Sequence, residues 1–159
     1  MIKVLFVCLG NICRSPMAEG LFNKYVKDAG LEDKISCESR AIGTWELGNP
    51  PHPGTVKILD RYGISSEGMI STAIKDEDYA QFDYIIGMDH DNVRYLKEHA
   101  GKHEHKVDLL LNVNPQHENM IVPDPYQTGN YELTYKLLDK GLRDLLDYLR
   151  VKHFGYRFK

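Results

Sequence analysis

A chain of 159 residues, 42% of them hydrophobic, is long enough to bury a core and short enough to need a single domain, taken here as 1–159. Its formal net charge of −3 excludes a general electrostatic footprint for nucleic acid, so any acidic ligand must be held locally. Three cysteines without framework spacing, and no Cys/His cluster at zinc spacing, argue against a disulfide scaffold and against a structural metal.

Ile2 to Val7 is almost continuously apolar, which predicts a central parallel strand ending at Cys8. The run is too short for a signal-peptide core or a membrane span, so a cytoplasmic protein with no membrane partner is expected. After a Gly-containing loop, Ser15-Pro16 pairs a good N-cap with the residue best tolerated at a first helical position. The helix it opens runs to about Ala29 and stops at Gly30. Ile35 to Arg40 alternates apolar or small with polar residues, as an edge strand does. A helix is expected near Gly54 to Tyr62 and a short one at Asp76 to Ala80. Asp83 to Met88 reads as a second buried strand, Asp91 to His99 as a helix, and Lys106 to Leu110 as a weaker fourth strand. Leu133, Leu137, Leu138, Leu142, Leu145, Leu146 and Leu149 recur at helical spacing and mark a long amphipathic helix closing the chain. This alternation predicts an α/β fold, a parallel sheet with helices on both faces in three layers. Two Pro-containing loops, Gly43 to Pro53 and Asn112 to Gly129, interrupt it and are candidates for function.

The chemistry concentrates in Cys8-Leu9-Gly10-Asn11-Ile12-Cys13-Arg14-Ser15. Ligands of open α/β sheets bind beyond the carboxyl ends of the strands, where Cys8 sits. The helix that follows points free amides and its positive dipole end at whatever the loop holds, which favours a phosphate dianion and a cysteine thiolate. Arg14, separated from Cys8 by five intervening residues, offers a planar fork suited to two phosphate oxygens. Gly10 permits close backbone approach, Asn11 is placed to pin the loop from inside, and the Ser15 hydroxyl either caps the helix or donates to the Cys8 sulfur. Each residue alone has an ordinary reading: Cys8 as an inert core residue, Ser15 as a cap, Arg14 as a solvated charge. As Cys-x5-Arg-Ser between a parallel strand and a helix they point to a reactive thiol in an anion site.

Cys8 to Glu19 resembles the signature of the low-molecular-weight protein tyrosine phosphatases. The likeness continues through Ser39-Arg40-Ala41, Trp45-Glu46-Leu47-Gly48, Pro50-Pro51-His52-Pro53, Phe82 to Ile86 with Met88-Asp89, and Val122-Pro123-Asp124-Pro125-Tyr126. It implies a four-stranded parallel sheet of order 2-1-3-4, flavodoxin- or Rossmann-like. It further implies hydrolysis of phosphotyrosine proteins and aryl phosphates through a cysteinyl-phosphate on Cys8, releasing inorganic phosphate, with no cofactor. Arg14 is the implied clamp, Asp124 the implied general acid and base, and Leu9, Gly10, Asn11, Ile12, Cys13 and Ser15 the phosphate-binding loop. Trp45 and Tyr126 resemble the aromatic walls around the substrate ring, and Cys13 the second loop cysteine that traps an oxidised Cys8. A monomer or weak dimer is expected. The chain departs from the family where relatives carry a His-x-Ala-Arg segment that supports the loop Asn. Here the stretch is Ser65 to Ser71, so the support of Asn11 is unassigned, and Gln127 replaces a second tyrosine.

Three other readings share the loop. Arsenate reduction needs a further cysteine pair, and only Cys37 lies outside the loop. An arginine phosphatase resembles a loop with Thr where this chain has Ile12, whose apolar side chain suits an aromatic substrate. A non-catalytic phosphopeptide binder has no need of Cys8, Arg14 and Asp124 together. The remaining histidines, His90, His99, His103, His105, His117 and His153, read as surface residues.

Overall fold

The computed structural model describes residues 1–155. Its four strands are β1 (Ile2–Cys8), β2 (Ile35–Ala41), β3 (Tyr84–Gly87) and β4 (Val107–Leu109), all parallel, in the order β2-β1-β3-β4. The helices are α1 (Arg14–Asp28), α2 (Pro53–Arg61), α3 (Asp76–Gln81), α4 (His90–Ala100), α5 (Pro125–Thr128) and α6 (Tyr131–Phe154). Among the described residues no helix is long and apolar enough to cross a membrane.

The pleat of β1 divides the core in two. Val4, Phe6 and Cys8 point to one face, where Met17, Leu21 and Phe22 of α1 and Leu138, Leu142, Leu145 and Leu149 of α6 cover them. Leu5 and Val7 point to the other, against Tyr79, Phe82, Leu96 and Ala100. A strand buried on both sides is apolar at successive positions, which is why Val4 to Val7, the fully buried part of β1, shows no alternation. The leucines of α6 fall on one stripe because 3.6 residues make a turn. Leu142 is fully buried in that stripe. Leu142→Ala is expected to lower unfolding stability by about 2–5 kcal/mol; a urea midpoint indistinguishable from wild type would contradict this packing.

Three expectations are corrected. The first helix begins at Arg14, and Cys13 occupies the N-cap position with no side-chain cap. Ser15 therefore does not cap it. A hydroxyl cap would consume a backbone amide that an anion needs, and the Ser15 hydroxyl is engaged elsewhere. The fourth strand is only Val107–Leu109. Lys106 closes a 3-10 turn instead and sends its ammonium to the carbonyls of Tyr79 and Ala80 at the end of α3. Finally, the loop from Asn112 holds two short 3-10 turns and α5, because Asp124 caps the amide of Tyr126 and Pro125 takes the first helical position.

Candidate active site

Cys8 ends β1 at the carboxyl edge of the sheet, and the loop after it is held by its carbonyls. The Cys8 carbonyl accepts from the Ile42 amide at 3.1 Å, Leu9 from the Gly43 amide at 2.8 Å, and Ile12 from the His52 amide at 2.7 Å. The Ser71 hydroxyl donates to the Gly10 carbonyl at 2.8 Å and the Thr55 hydroxyl to that of Cys13 at 3.2 Å. No described peptide bond is cis, so each carbonyl turned to the scaffold turns the next amide the opposite way. The amides of Leu9, Gly10, Asn11, Cys13 and Arg14 thus face the interior of the loop, an anion-binding nest at a helix start.

Asn11 makes the bend possible. Its φ is +58°, the left-handed region that asparagine tolerates better than most residues. Its side-chain oxygen accepts from the Thr72 amide at 3.0 Å, and its nitrogen donates to Ser15 Oγ at 2.8 Å and Ser39 Oγ at 2.9 Å. These three partners supply the support that the sequence left unassigned. Ser15 Oγ lies 3.0 Å from Cys8 Sγ, which places the nucleophile candidate and the loop spine in one network.

Arg14 is 2% exposed. One terminal nitrogen donates to Asp89 Oδ2 at 2.7 Å and to the Val122 carbonyl at 2.9 Å, while the other lies 3.8 Å from Asp124 Oδ2. Its Nε is buried without a protein partner. The Nε edge of the guanidinium is therefore free to take two anion oxygens side-on, the geometry for which arginine differs from lysine. Burial disfavours the Arg14 charge, but the Cys8 sulfur and the Asp89 and Asp124 carboxylates outweigh it and push the group above its ordinary range. Asp89 also caps α4 through its other oxygen, which accepts from the Asn92 amide at 2.8 Å.

Asp124 reaches the cleft because the Val122 amide bonds the Met88 carbonyl at 2.8 Å, just beyond β3. One Asp124 oxygen is held by the Tyr126 amide at 3.0 Å and the other lies on the Arg14 side. Cys8, Leu9, Gly10, Ile12, Cys13, Arg14, Asp124, Trp45 and Tyr126 line one cleft, together with Glu46, which sequence reasoning did not single out. Asn11 and Ser15 stand behind it. Trp45 and Tyr126 are each 66% exposed, so both are walls of the cleft and not parts of the core. The indole lies where a Cβ on Gly43 would come within 2.4 Å, so a side chain there would displace Trp45 from this position.

Asp89, His52 and Tyr131 were not legible as site residues. Since the Gly54 amide, 3.0 Å away, only donates, His52 Nδ1 is an acceptor. The Tyr131 hydroxyl, 2.8 Å from it, must donate to it and present lone pairs to Cys13 Sγ at 3.6 Å. The two rings stack at 5.2 Å, and a Cβ on Gly54 would strike the Tyr131 ring. Burial foremost, together with the charges on Cys8 and Asp124, pushes the Cys13 thiol up to about 11, so Cys13 stays protonated at neutral pH. The only sequence signals for this trio were the Pro-Pro-His-Pro run and the positions of Asp89 and Tyr131 near the ends of elements.

A parallel α/β sheet whose first strand ends in a thiol, inside a nest of amides closed by a buried arginine, defines the class of cysteine-dependent phosphatases. Residues 3–154 match the model of the low molecular weight phosphotyrosine protein phosphatases, and the chain belongs to that family. It is 48% identical to the low molecular weight protein-tyrosine-phosphatase YfkJ of Bacillus subtilis, over 92% of this chain and 94% of that one. It is 43% identical to PtpA of Staphylococcus epidermidis, over 94% of each. The crystal structure of YfkJ superposes with a TM-score of 0.93 at 46% identity, covering 96% of this chain and 97% of that one.

Proposed function

We propose that the protein hydrolyses phosphotyrosine in proteins, and aryl phosphates generally, by way of a cysteinyl-phosphate on Cys8. The observation that carries this reading is the free Nε edge of Arg14 beside inward-facing amides, with a thiol at the root of the same loop. Sulfur attacks phosphorus as the bond to the aryl oxygen breaks. Arg14 and the amides hold the three remaining oxygens as charge spreads over them. Asp124 gives its proton to the departing phenolate, then takes one from the water that cleaves the S–P bond, so inorganic phosphate leaves and the thiolate returns. Because the guanidinium and amides neutralise the charge, the reaction needs no metal and persists in EDTA, and orthovanadate blocks it. Ile12, Trp45 and Tyr126 receive the ring. An apolar Ile12 gives no partner to a guanidinium, which favours phosphotyrosine over phosphoarginine. The protein acts in the cytoplasm, as a monomer or weak dimer.

Asp124→Asn separates the acid role from simple binding. Hydrolysis of phenyl phosphate, whose leaving group needs a proton, is expected to fall by about 10²–10⁴-fold, and that of p-nitrophenyl phosphate much less. Equal slowing of both substrates would remove Asp124 from the acid role.

A further inference from the structure

A string of buried polar groups runs from the Cys8 sulfur to a carboxylate outside the cleft. Ser15 Oγ is 3.0 Å from Cys8 Sγ, Asn11 Nδ2 bridges Ser15 and Ser39 at 2.8 and 2.9 Å, and Ser39 Oγ donates to Glu19 Oε1 at 2.6 Å. The direction of every bond follows from its ends. The Thr72 amide only donates, so the atom of Asn11 facing it is the oxygen, and both hydrogens of Nδ2 go to the two hydroxyls. Each hydroxyl accepts from Asn11 with a lone pair and keeps its own hydrogen for its other neighbour. For Ser39 that neighbour is Glu19, which as a carboxylate accepts and never donates. For Ser15 it is the Cys8 sulfur, which only accepts when Cys8 is the thiolate nucleophile of the proposed reaction. Hydrogens therefore run outward from the Asn11 amide to an anion at each end, and such chains polarise along their length.

We infer that Glu19 is a positioning residue: by taking the Ser39 hydrogen it keeps a Ser39 lone pair turned to Asn11, which holds the amide that orients Ser15 toward Cys8 and so supports the thiolate. A neutral group able to donate to Ser39 would let that hydroxyl turn its hydrogen toward Asn11 Nδ2, two donors would meet, and the amide that orients Ser15 would loosen. Glu19 does not line the cleft; it borders a separate cavity with Glu38, Ser39 and Arg40. Burial pushes its carboxyl up from the ordinary glutamate range and Glu38 adds to this, while the bond from Ser39 and the charge of Arg40 oppose it. Glu38 and Arg40 are thus the charged neighbours from which the relay must be told apart. The inference rests on Cys8 being the nucleophile.

The test measures the rate of Cys8 alkylation by iodoacetamide against pH, and the pH profile of kcat/KM for p-nitrophenyl phosphate, in proteins whose far-UV circular dichroism matches wild type. Alkylation at pH 6 is expected to slow by about three- to tenfold in Glu19→Gln and in Ser39→Ala, the worth of one hydrogen bond, with the acid limb of kcat/KM moved to higher pH. The double variant should be no slower than the worse single, since both cut one chain. Glu38→Gln should match wild type. If Ser39→Ala does not fold, the isosteric Glu19→Gln decides alone. Unchanged alkylation, additive losses, an equal effect of Glu38→Gln, or lower activity with the limb unmoved would each overturn the relay. Alkylation needs no turnover, so protein that shows these shifts but hydrolyses no aryl phosphate would defeat the phosphatase reading and leave the relay standing.

Discussion

Cys8→Ser is expected to lower turnover of p-nitrophenyl phosphate by on the order of 10⁴-fold or more, because a hydroxyl in the same place is protonated at neutral pH and a weak nucleophile toward phosphorus. The cleft, its amides and Arg14 are otherwise intact, so binding of inorganic phosphate or vanadate should persist, and isothermal titration checks this in the same sample. Chemical labelling gives an independent reading. At pH 7 iodoacetamide should modify wild-type protein at Cys8 and leave the variant untouched. Burial pushes the Cys13 thiol up to about 11 and holds Cys37 well above the usual range as well. Neither offers a thiolate at pH 7. Full activity in Cys8→Ser, or labelling at Cys13 instead, would take the reaction away from Cys8.

The second large effect belongs to Arg14→Lys. Lysine keeps the charge but replaces a fork by a single ammonium, so it loses the free Nε edge and cannot also reach both Asp89 and the Val122 carbonyl. The loss should appear in kcat, by about 10²–10³-fold or roughly 3–4 kcal/mol, because the clamp matters most when charge builds on the equatorial oxygens. Steady-state kinetics separate the cases. A rise in KM alone, with kcat within a few-fold, would show that the guanidinium binds substrate and transition state equally.

The site was legible in the sequence to the extent that it is local. Cys8, Arg14 and the loop between them lie within one strand–loop–helix unit, and apolar run, glycine and helix signals bracket them. Asp89 was not singled out because Met88-Asp89-His90-Asp91 reads as an ordinary helix start; it is one, and only the neighbouring position of β3 beside β1 shows its second oxygen meeting Arg14. Ser15 was misread as a possible cap for the same reason. A hydroxyl before a helix looks alike whether it caps an amide or faces a sulfur, and the difference depends on Asn11 donating to it. The missing histidine of the Ser65 to Ser71 stretch posed a question that no local pattern answers, since Ser39 and Thr72 reach Asn11 from 28 and 61 residues away.

By itself the sequence determined the α/β alternation, the buried first strand and the candidate loop from Cys8 to Ser15, since hydrophobic period, turn chemistry and a short motif are properties of neighbouring residues. Only the tertiary structure decided which distant groups complete the loop. Asp89 behind Arg14, Asp124 before it, His52 and Tyr131 at Cys13, and Ser39 with Glu19 behind Asn11 come together because parallel strands bring their carboxyl ends to one edge of the sheet. That convergence follows from strand order, which no local window of sequence records.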